Sequence, residues 1–435
     1  MTSQRMAHWG VLLDDGKALL IGGHGSGFTA LDTCDLYDPA TNSFSAMTMN
    51  YTHDGGALAK LSDGRYLIAG GAKDLGVAPG YATAEIFDPA SMNFTATGSM
   101  NYARTNCRAA TLSNGKVLIV GAWYNTDSAS YGEIYDPATG TFSLTGQIPD
   151  GYERSWPVVL PTNDGKAYIF GGMGVYGADN PESVLLYDSS TNAFTVVRES
   201  LFEGATGWFT YWYAYSLPEA FTEGNLVYFP VFREDNSWAA LAFDKTDGTI
   251  TLLETSPALD GRYISAFILN DQSEAYLMQG HPTNPLQVHL CAVDRTSGDY
   301  VIPSEYYSLP ANTYMSYANF TRLSDGRILV SGGTSGTGSQ TNFSPTSNSW
   351  LLSPTETSLP ARIAPSQDVE IVAPGNFTAG CWDYTANAWQ TEITGNTSAY
   401  VEITFTKDIW YAIYVYDVDR GIWTEGAYLT KQSWY

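Results

Sequence analysis

Charged residues are scarce in this sequence, and the basic ones are the scarcest. Asp, Glu, Lys and Arg make up 15% of the 435 residues, and 21 Lys and Arg stand against 45 Asp and Glu, a formal net charge of −24. A field of this sign repels nucleic acid and anionic membranes unless basic residues are concentrated in one place. We therefore expect no nucleic-acid partner.

Cysteines and long apolar runs are also few. The cysteines, Cys34, Cys107, Cys291 and Cys381, include no C-x-x-C pair, which argues against a zinc knuckle or redox motif and favours buried free thiols. No run reaches the ~18 apolar residues of a membrane span, and the start, MTSQRMAHWG, lacks a signal-peptide core. Because the first repeat begins soon after Met1, we expect an extracellular, periplasmic or cell-surface protein whose export signal has been removed.

Apolar and aromatic residues, in contrast, are plentiful at 44% and 14%, which excludes a disordered chain. The length exceeds one ordinary core, so we expect several domains or a repeat array. One octamer recurs with starts 48 to 56 residues apart. Its copies are YDPATNSF from Tyr37, FDPASMNF from Phe87, YDPATGTF from Tyr135, YDSSTNAF from Tyr187, FDKTDGTI from Phe243, VDRTSGDY from Val293 and FSPTSNSW from Phe343.

A second pattern precedes most octamers, an Asp-Gly or Asn-Gly turn and an apolar strand ending in small residues, as in DGKALLIGG to Gly23. Such a turn predicts a hairpin, because both turn residues tolerate positive φ. The octamer predicts a third strand ending in Tyr-Asp, a turn, and a fourth strand that opens on an aromatic residue. Four strands per repeat predict a propeller blade.

The DG…GG…YDP…F pattern resembles the kelch-repeat β-propellers, including the galactose oxidase-like central domain, over about residues 5 to 352. The resemblance implies fold rather than function, since kelch propellers include binding scaffolds, sugar oxidases and sugar mutarotases. We predict an all-β protein with a seven-bladed kelch-type propeller over residues 1–353, a connector over 354–366 and a small β-sandwich-like domain over 367–435. A degenerate eighth blade is the alternative for the C-terminal region, and how the ring closes stays open.

Basic side chains occupy matching positions, eleven residues before the turn glycine, in five repeats. They are Arg5, His53, Arg104, Arg154 and, with one inserted residue, Arg262. Two interpretations remain open: each pairs with an acid of the adjacent blade, or together they bind a carboxylate or a sugar at the mouth of the propeller. If the protein is an enzyme, Glu153 and Glu234 are the weak candidates for its proton carrier.

Aromatic residues supply the rest of the predicted site. The loop before the fifth turn is about ten residues longer than its counterpart in the second repeat and contains Trp208, Trp212 and Tyr213. Exposed rings of this kind stack on sugars, although alternate rings of the run could equally belong to a strand core. The connections between second and third strands add Trp123, His24 and His281 to the predicted ligand-binding set.

Copper is the cofactor that a resemblance to galactose oxidase would imply, held by two tyrosines and two histidines, with one tyrosine joined to a cysteine. This sequence has five histidines, no Tyr-His dipeptide and no evident counterpart of that cysteine. We therefore predict no metal and no cofactor.

We predict an exported, non-catalytic recognition protein that binds a glycan or a protein at the basic and aromatic mouth of the propeller. The alternative is a carbohydrate-active enzyme, mutarotase-like or lyase-like, that acts on an acidic sugar. A third possibility is an intracellular kelch scaffold, which is disfavoured because no second partner-recruiting domain is recognisable.

Overall fold

A computed structural model describes residues 1–73, 80–123, 126–174 and 183–199. After residue 199 the described segments are 208–209, 222–233, 238–256, 264–269, 274–280, 287–294, 300–301, 306–308, 313–325, 327–335, 344–352, 366–383, 388–404, 411–417, 422–424 and 428–429. Side chains in this second part are described only at 224–226, 242–251, 318–321, 323–325, 327–333 and 345–351.

The first four repeats each form an antiparallel sheet of four strands in chain order, blades 1 to 4. Blade 1 comprises β1 (Trp9–Leu12), β2 (Ala18–Ile21), β3 (Thr33–Asp38) and β4 (Ser43–Thr48). Blade 2 comprises β5 (Ala57–Lys60), β6 (Tyr66–Ala69), β7 (Ala84–Asp88) and β8 (Asn93–Ala96). Blade 3 comprises β9 (Arg108–Thr111), β10 (Val117–Val120), β11 (Tyr131–Asp136) and β12 (Thr141–Gln147).

Blade 4 comprises β14 (Val158–Pro161), β15 (Lys166–Phe170), β17 (Val184–Asp188) and β18 (Ala193–Arg198). A separate two-stranded sheet joins β13 (Arg154–Ser155) to β16 (Met173–Gly174). Within the described residues, helix is confined to a 3-10 turn at Ser26–Phe28 and to α1 (Thr126–Ser130), and no helix has the length and apolar character needed to cross a membrane.

The fifth to seventh repeats are antiparallel as well. The fifth contains β19 (Trp208–Phe209), β20 (Thr222–Glu223), β21 (Leu226–Arg233), β22 (Trp238–Asp244) and β23 (Ile250–Ser256). The sixth contains β24 (Ile264–Leu269), β25 (Glu274–Gly280), β26 (Gln287–Asp294), β27 (Tyr300–Val301) and β28 (Tyr306–Ser308). The seventh contains β29 (Thr313–Arg322), β30 (Ile328–Ser335), β31 (Ser344–Pro345) and β32 (Ser349–Leu352). The predicted all-β propeller-type fold is confirmed.

The octamers form the predicted turns between third and fourth strands. In blades 1 to 4 the first and last residues of each octamer pair across the two strands, as Tyr37 does with Phe44. The ring centroids of these pairs lie 4.8 to 5.0 Å apart. Asp38 Oδ1 accepts a hydrogen bond of 2.9 Å from the Ala40 N–H inside the turn. The octamer therefore encodes both an apolar cross-strand contact and the closure of its turn.

The prediction for the seventh octamer, that it forms the turn between the third and fourth strands, is wrong. Residues Ser349–Leu352 pair with β30, Ile328 lying opposite Leu352, just as Ala18 lies opposite Tyr37 in blade 1. Residues 344–350 of this copy therefore lie at the third-strand position, where β31 and β32 both pair with β30. The pattern match failed because Pro, Ser and Thr are common both in turns and in the interruption of a strand.

The first and last blades meet through the N-terminal segment. The Arg5 N–H donates to Thr346 O at 3.1 Å, and the Gly333 N–H donates to Arg5 O at 3.1 Å. Buried side chains from blades 1 and 7, Leu20 and Leu329 among them, form one apolar cluster. The strands β21, β24, β29 and β1 also contact each other in that order. Main-chain hydrogen bonds and side-chain packing therefore join blade 1 to blade 7.

Apolar clusters between neighbouring blades form the core. Leu19 and Ile21 of blade 1 pack with Tyr66 and Ile68 of blade 2, and Cys34 belongs to the same cluster. Cys34 and Cys107 are buried free thiols, as predicted, and burial raises the thiol pKa to about 12 and about 11 respectively. Cys291 and Cys381 lie in strands whose side chains are outside the description.

The chain divides into two compact units. One comprises Met1–Val288 and Tyr307–Pro354, and the other comprises His289–Tyr306 and Thr355–Tyr435. The predicted division into 1–353, 354–366 and 367–435 stays a prediction, since residues 353–365 lie outside the described part.

The second unit contains the longest strands, β33 (Ser366–Asp383) and β34 (Ala388–Thr404), together with β35 (Tyr411–Asp417), β36 (Ile422–Thr424) and β37 (Tyr428–Leu429). β33 pairs with both β34 and β35. Trp382 lies opposite Trp389, and Tyr416 lies opposite Trp423. Two further octamers that resemble the blade turn in sequence, WDYTANAW from Trp382 and YDVDRGIW from Tyr416, therefore begin and end on paired residues, as the octamers of blades 1 to 4 do.

The glycine pair after the second strand allows a close approach of two backbone segments, which an alanine substitution can test. Gly71 has a φ of +93°, and a Cβ there would lie 2.4 Å from the His53 carbonyl carbon; Gly151 has a φ of +87° and no atom near such a Cβ. Both alanine substitutions incur the ~1–2 kcal/mol cost of left-handed backbone. Gly71→Ala must also displace backbone, so its denaturant unfolding midpoint should fall well below that of Gly151→Ala. Equal midpoints would contradict the close approach.

Candidate functional site

The matched basic positions lie in the segment that leads into the first strand of each blade. Two residues further on, the backbone is left-handed in all four blades whose side chains are described: φ is +53° at Ala7, +63° at Gly55, +60° at Asn106 and +49° at Trp156. The Asn106 N–H donates to Gly55 O, and the Trp156 N–H donates to Asn106 O. The segments of successive blades are thus placed side by side by their own main chain.

The structure does not place these basic side chains on an open mouth. Arg5, His53, Arg104 and Arg154 are all buried, with at most 2% of each residue exposed. Arg5 Nη2 lies 2.8 Å from Asp35 Oδ2, His53 Nε2 lies 2.9 Å from Glu85 Oε1, and Arg104 Nη2 lies 3.2 Å from Glu133 Oε1. Each acid lies on the third strand of the same blade, not on the adjacent blade.

These carboxylates do more than neutralise a cation. Glu133 also accepts hydrogen bonds from the Asn101 and Tyr102 N–H groups at 2.8 and 3.0 Å. Glu85 accepts from the Asn50 N–H at 3.0 Å, and Asp35 accepts from the Thr2 N–H at 2.7 Å. Each pair therefore fastens the incoming segment to the third strand of its blade, because one carboxylate satisfies both the cation and otherwise unpaired backbone donors.

Hydrogen bonding determines the electrostatics of these acids. Burial alone would raise the pKa of the Glu85 carboxyl, but hydrogen bonds from His53 and Asn50 hold it below its ordinary value. Burial would likewise raise the pKa of Asp35, yet Thr2 and Arg5 lower it. His53 Nδ1 lies 2.6 Å from Gly70 O and its Nε2 lies 2.9 Å from Glu85 Oε1, so both ring nitrogens face oxygen atoms. His53 thus substitutes for an arginine.

Blade 4 differs from blades 1 to 3 because its third strand has no acid at the equivalent position. Leu185, fully buried, stands where blades 1 to 3 have the acid. The Arg154 guanidinium donates to Tyr152 O at 3.2 Å, Ser183 O at 3.1 Å and Ser183 Oγ at 2.9 Å. No ion pair of Arg154 occurs within the described part of the chain, and burial lowers its pKa to about 10.

Glu153, the candidate proton carrier, has a local structural role. Its Oε2 accepts the Gly151 N–H at 2.8 Å, and its Oε1 lies 3.4 Å from Ser130 Oγ. Glu153 therefore accepts the backbone hydrogen bond that the third-strand acid accepts in blade 3, where the Asn101 N–H donates to Glu133. Within the described residues, the hydrogen-bond partners of Glu153 are Gly151 and Ser130, neither of which is a second acid or base.

The other predicted site residues fall into two groups. His24 is buried, and its Nε2 lies 3.0 Å from Asp54 Oδ1, so this imidazole faces the second blade rather than solvent. Trp208 begins the short strand β19, in which it lies opposite Arg233. Arg262, Trp212, Tyr213, Glu234 and His281 lie outside the described residues, and their placement stays a prediction.

Aromatic rings, not guanidinium groups, reach the surface near the matched positions. Tyr51 is 37% exposed, and Tyr102 is half-buried and stacks on the half-buried Tyr131, with ring centroids 6.3 Å apart and planes at 23°. Half-buried Trp123 lies against Trp156, with centroids 5.9 Å apart. We term Tyr51, Tyr102, Trp123 and Tyr131 the aromatic surface.

The backbone places these rings at one end of the blades. The segment before the first strand and the connection after the second strand are joined by main-chain hydrogen bonds, Ala72 N to Asp54 O in blade 2 and Trp123 N to Thr105 O in blade 3. Because strands alternate in direction, both segments belong to the same end of a blade. The aromatic surface therefore spans neighbouring blades at one end.

Sequence reasoning missed the three acids and all three tyrosines of the aromatic surface, of which Tyr51 and Tyr102 had a recognisable signal. Asp35, Glu85 and Glu133 each stand two residues before the first residue of an octamer, in DLYD, EIFD and EIYD. Tyr51 and Tyr102 each stand two residues before a matched basic position. Aligning the repeats at these offsets would have found both sets.

No protein-family model matches the chain, and a comparison with curated proteins finds no match. Among solved structures, the chain is similar to a fungal alcohol oxidase of the AA5 family described as having catalytic diversity and being in complex with copper. The TM-score is 0.55 at 14% sequence identity, over 98% of this chain and 97% of that one. At this identity the similarity shows a galactose oxidase-like fold and does not extend to activity.

The described histidines face other protein groups and do not converge on a common point. His8 Nε2 lies 2.9 Å from Ser331 Oγ, while His24 and His53 face Asp54 and Glu85. No group of three or more His, Cys, Asp or Glu side chains that could hold a metal occurs in this part of the chain. The residues described here do not fit a copper centre, and the side chains of His281 and His289 lie outside them.

Because His8 is buried, we expect the free energy of unfolding to depend on pH. Burial, and secondarily the Arg5 charge, lowers the pKa of His8 well below 6.5, so the folded protein holds this imidazole neutral. Because the unfolded chain takes up the proton first, the stabilisation is present above about pH 6.5 and is lost as the pH falls, by up to ~1.4 kcal/mol per pH unit. His8→Gln should flatten the fall in unfolding midpoint between pH 7 and pH 5. An unchanged slope would contradict the assignment.

Proposed function

We propose that this protein is an exported recognition protein that binds a glycan on the aromatic surface of blades 2 and 3. The observation that carries the proposal is the half-buried stack of Tyr102 on Tyr131, at the end of blade 3 that also bears the half-buried Trp123. Flat apolar faces with polar edges suit sugar rings, whose C–H faces pack on them while their hydroxyl groups bond at the rim. Non-catalytic binding agrees with the structural roles of Glu153 and His24 in the described residues.

Charge favours a glycan over most other ligands. The net charge of −24 repels anionic polymers at long range. In blades 1 to 3 the basic side chains at the matched positions are buried against carboxylates of the same blade. A sugar needs no charge on the protein, only stacking faces and hydrogen-bonding edges. A protein ligand at the same surface is the alternative outcome of the binding test.

A carbohydrate-active or alcohol-oxidising enzyme is the second candidate. It is favoured by the fold similarity to the AA5 alcohol oxidase, which covers nearly the whole chain. Copper-loaded protein that produces hydrogen peroxide from sugar alcohols, or protein that turns over an acidic sugar, would favour this candidate over simple binding.

Loss of single rings tests the binding proposal. Trp123→Ala and Tyr102→Ala should each weaken glycan binding by about tenfold, because a stacked ring contributes about 1–2 kcal/mol. Glycan-array screening followed by calorimetric titration measures the effect. Val197→Ala, a change at a 41% exposed apolar residue on β18, is the matched control and should bind as wild type does.

Two results would overturn the proposal. One is glycan binding that both ring substitutions leave intact. The other is binding of a protein but of no glycan by the same surface, which would transfer the site to the alternative ligand.

A further inference from the structure

A tyrosine recurs at one position in three consecutive blades. Tyr51, Tyr102 and Tyr152 each stand two residues before the basic residue at the matched position of blades 2, 3 and 4, whereas blade 1 has Ser3 there. Tyr51 is 37% exposed, and Tyr102 and Tyr152 are half-buried. All three side chains are therefore partly accessible at the same place in neighbouring blades. We term these three residues the tyrosine row.

Main-chain hydrogen bonds keep the tyrosine row in order along one end of the blades. The Gly71 N–H donates to Arg104 O at 2.8 Å, and the Ala122 N–H donates to Arg154 O at 3.2 Å. Each bond joins the connection after the second strand of one blade to the segment that enters the next blade. The tyrosine row therefore follows the end of blades 2 to 4 that bears the aromatic surface.

The positions of the three tyrosines are fixed before any ligand binds. The Tyr102 N–H donates to Glu133 Oε1 at 3.0 Å, and the Tyr152 N–H donates to Pro149 O at 3.1 Å. The Tyr51 ring meets the buried imidazole of its blade edge to face, with ring centroids 6.2 Å apart. A ligand that stacks on rings held in this way orders few protein groups, so little of its binding free energy is lost.

Blade 4 adds a hydrogen-bonding group to the row. The Tyr152 hydroxyl donates to the Glu199 carboxylate, whose two oxygens lie 3.1 and 3.0 Å from it. Glu199 is exposed at the end of the fourth strand of this blade. A carboxylate beside a ring accepts hydrogen bonds from sugar hydroxyl groups and repels acidic sugars. Together with the net charge of −24, Glu199 favours a neutral glycan.

The length of the row favours a chain over a short sugar. Apolar clusters join blade 2 to blade 3 and blade 3 to blade 4. Sheets that pack face to face lie about 10 Å apart, so the three positions extend over about 20 Å, more than a trisaccharide covers. In a β-1,4-linked glucose chain the ring substituents are equatorial, so C–H faces are available for stacking along its whole length.

We infer that the tyrosine row binds a neutral, linear β-1,4-linked glycan along blades 2 to 4, an inference that rests on the proposed glycan-binding function and extends its site to Tyr152 and Glu199. Different sugar units of one chain stack on the three rings, and the Glu199 carboxylate accepts a hydroxyl group beside the Tyr152 ring. Once one unit is bound, the next contacts form within the same complex, so affinity increases with chain length.

The experiment compares cellotriose with cellohexaose by calorimetric titration. Wild type should bind cellohexaose at least tenfold more tightly, because only the longer chain reaches all three rings. Tyr51→Ala and Tyr152→Ala, at the two ends of the row, should each weaken cellohexaose binding by about tenfold. Both should leave cellotriose binding within about twofold of wild type, because the shorter chain can use the intact end.

Two further variants serve as controls. Tyr152→Phe keeps the ring and loses the bond to Glu199, so it should weaken cellohexaose binding much less than Tyr152→Ala does. Val197→Ala should bind both sugars as wild type does. Tyr152 packs partly against the apolar cluster between blades 3 and 4. If Tyr152→Ala does not fold, as judged by circular dichroism, the more exposed Tyr51→Ala decides.

The failures of this inference and of the proposed function differ. Equal affinity of wild type for cellotriose and cellohexaose, or end-ring substitutions that weaken both sugars alike, overturns the tyrosine row as a chain-binding site. Binding of another glycan in the array without binding of cellohexaose does so as well, and each of these results leaves glycan recognition standing. Absence of binding to any glycan in the array overturns the proposed function and this inference with it.

Discussion

The buried pair between a basic side chain and a third-strand carboxylate is the interaction on which the rest of the described structure depends. It attaches the segment arriving from one blade to the third strand of the next, and it also satisfies the backbone N–H groups of that segment. With the segment fixed, the left-handed residues two positions later can bond from blade to blade. The same attachment holds Tyr51 and Tyr102 at the end of their blades.

The repeats were predictable because their information is local. A turn of Asp or Asn with glycine, and an octamer with a ring at each end, can be recognised within ten residues, and the pairing of Tyr37 with Phe44 confirms the interpretation. The seventh octamer, from Phe343, was misplaced since its composition alone does not distinguish a turn from an interrupted strand. Residues after 353 keep the octamer but lack the glycine strand, so only part of their pattern could be used.

The candidate site was harder because its partners are distant in sequence. Arg104 and Glu133 are 29 residues apart in the sequence. An alignment of the basic positions alone does not show these acidic partners, so it predicts unpaired basic side chains around a common mouth. For Arg5, His53 and Arg104 the structure favours the internal pair, since these side chains are buried against carboxylates. For recognition, the described residues leave the neighbouring aromatic surface.

A double-mutant cycle on Arg104 and Glu133 tests this account most directly. Arg104→Met and Glu133→Leu should each lose about 3–5 kcal/mol of unfolding free energy, because each leaves a buried charge alone. The double variant should lose far less than their sum, and Arg154→Met should lose only about 1–2 kcal/mol for its freed acceptors. Additive losses, with Arg154→Met as harmful as Arg104→Met, would show that the pair is not what holds the blades.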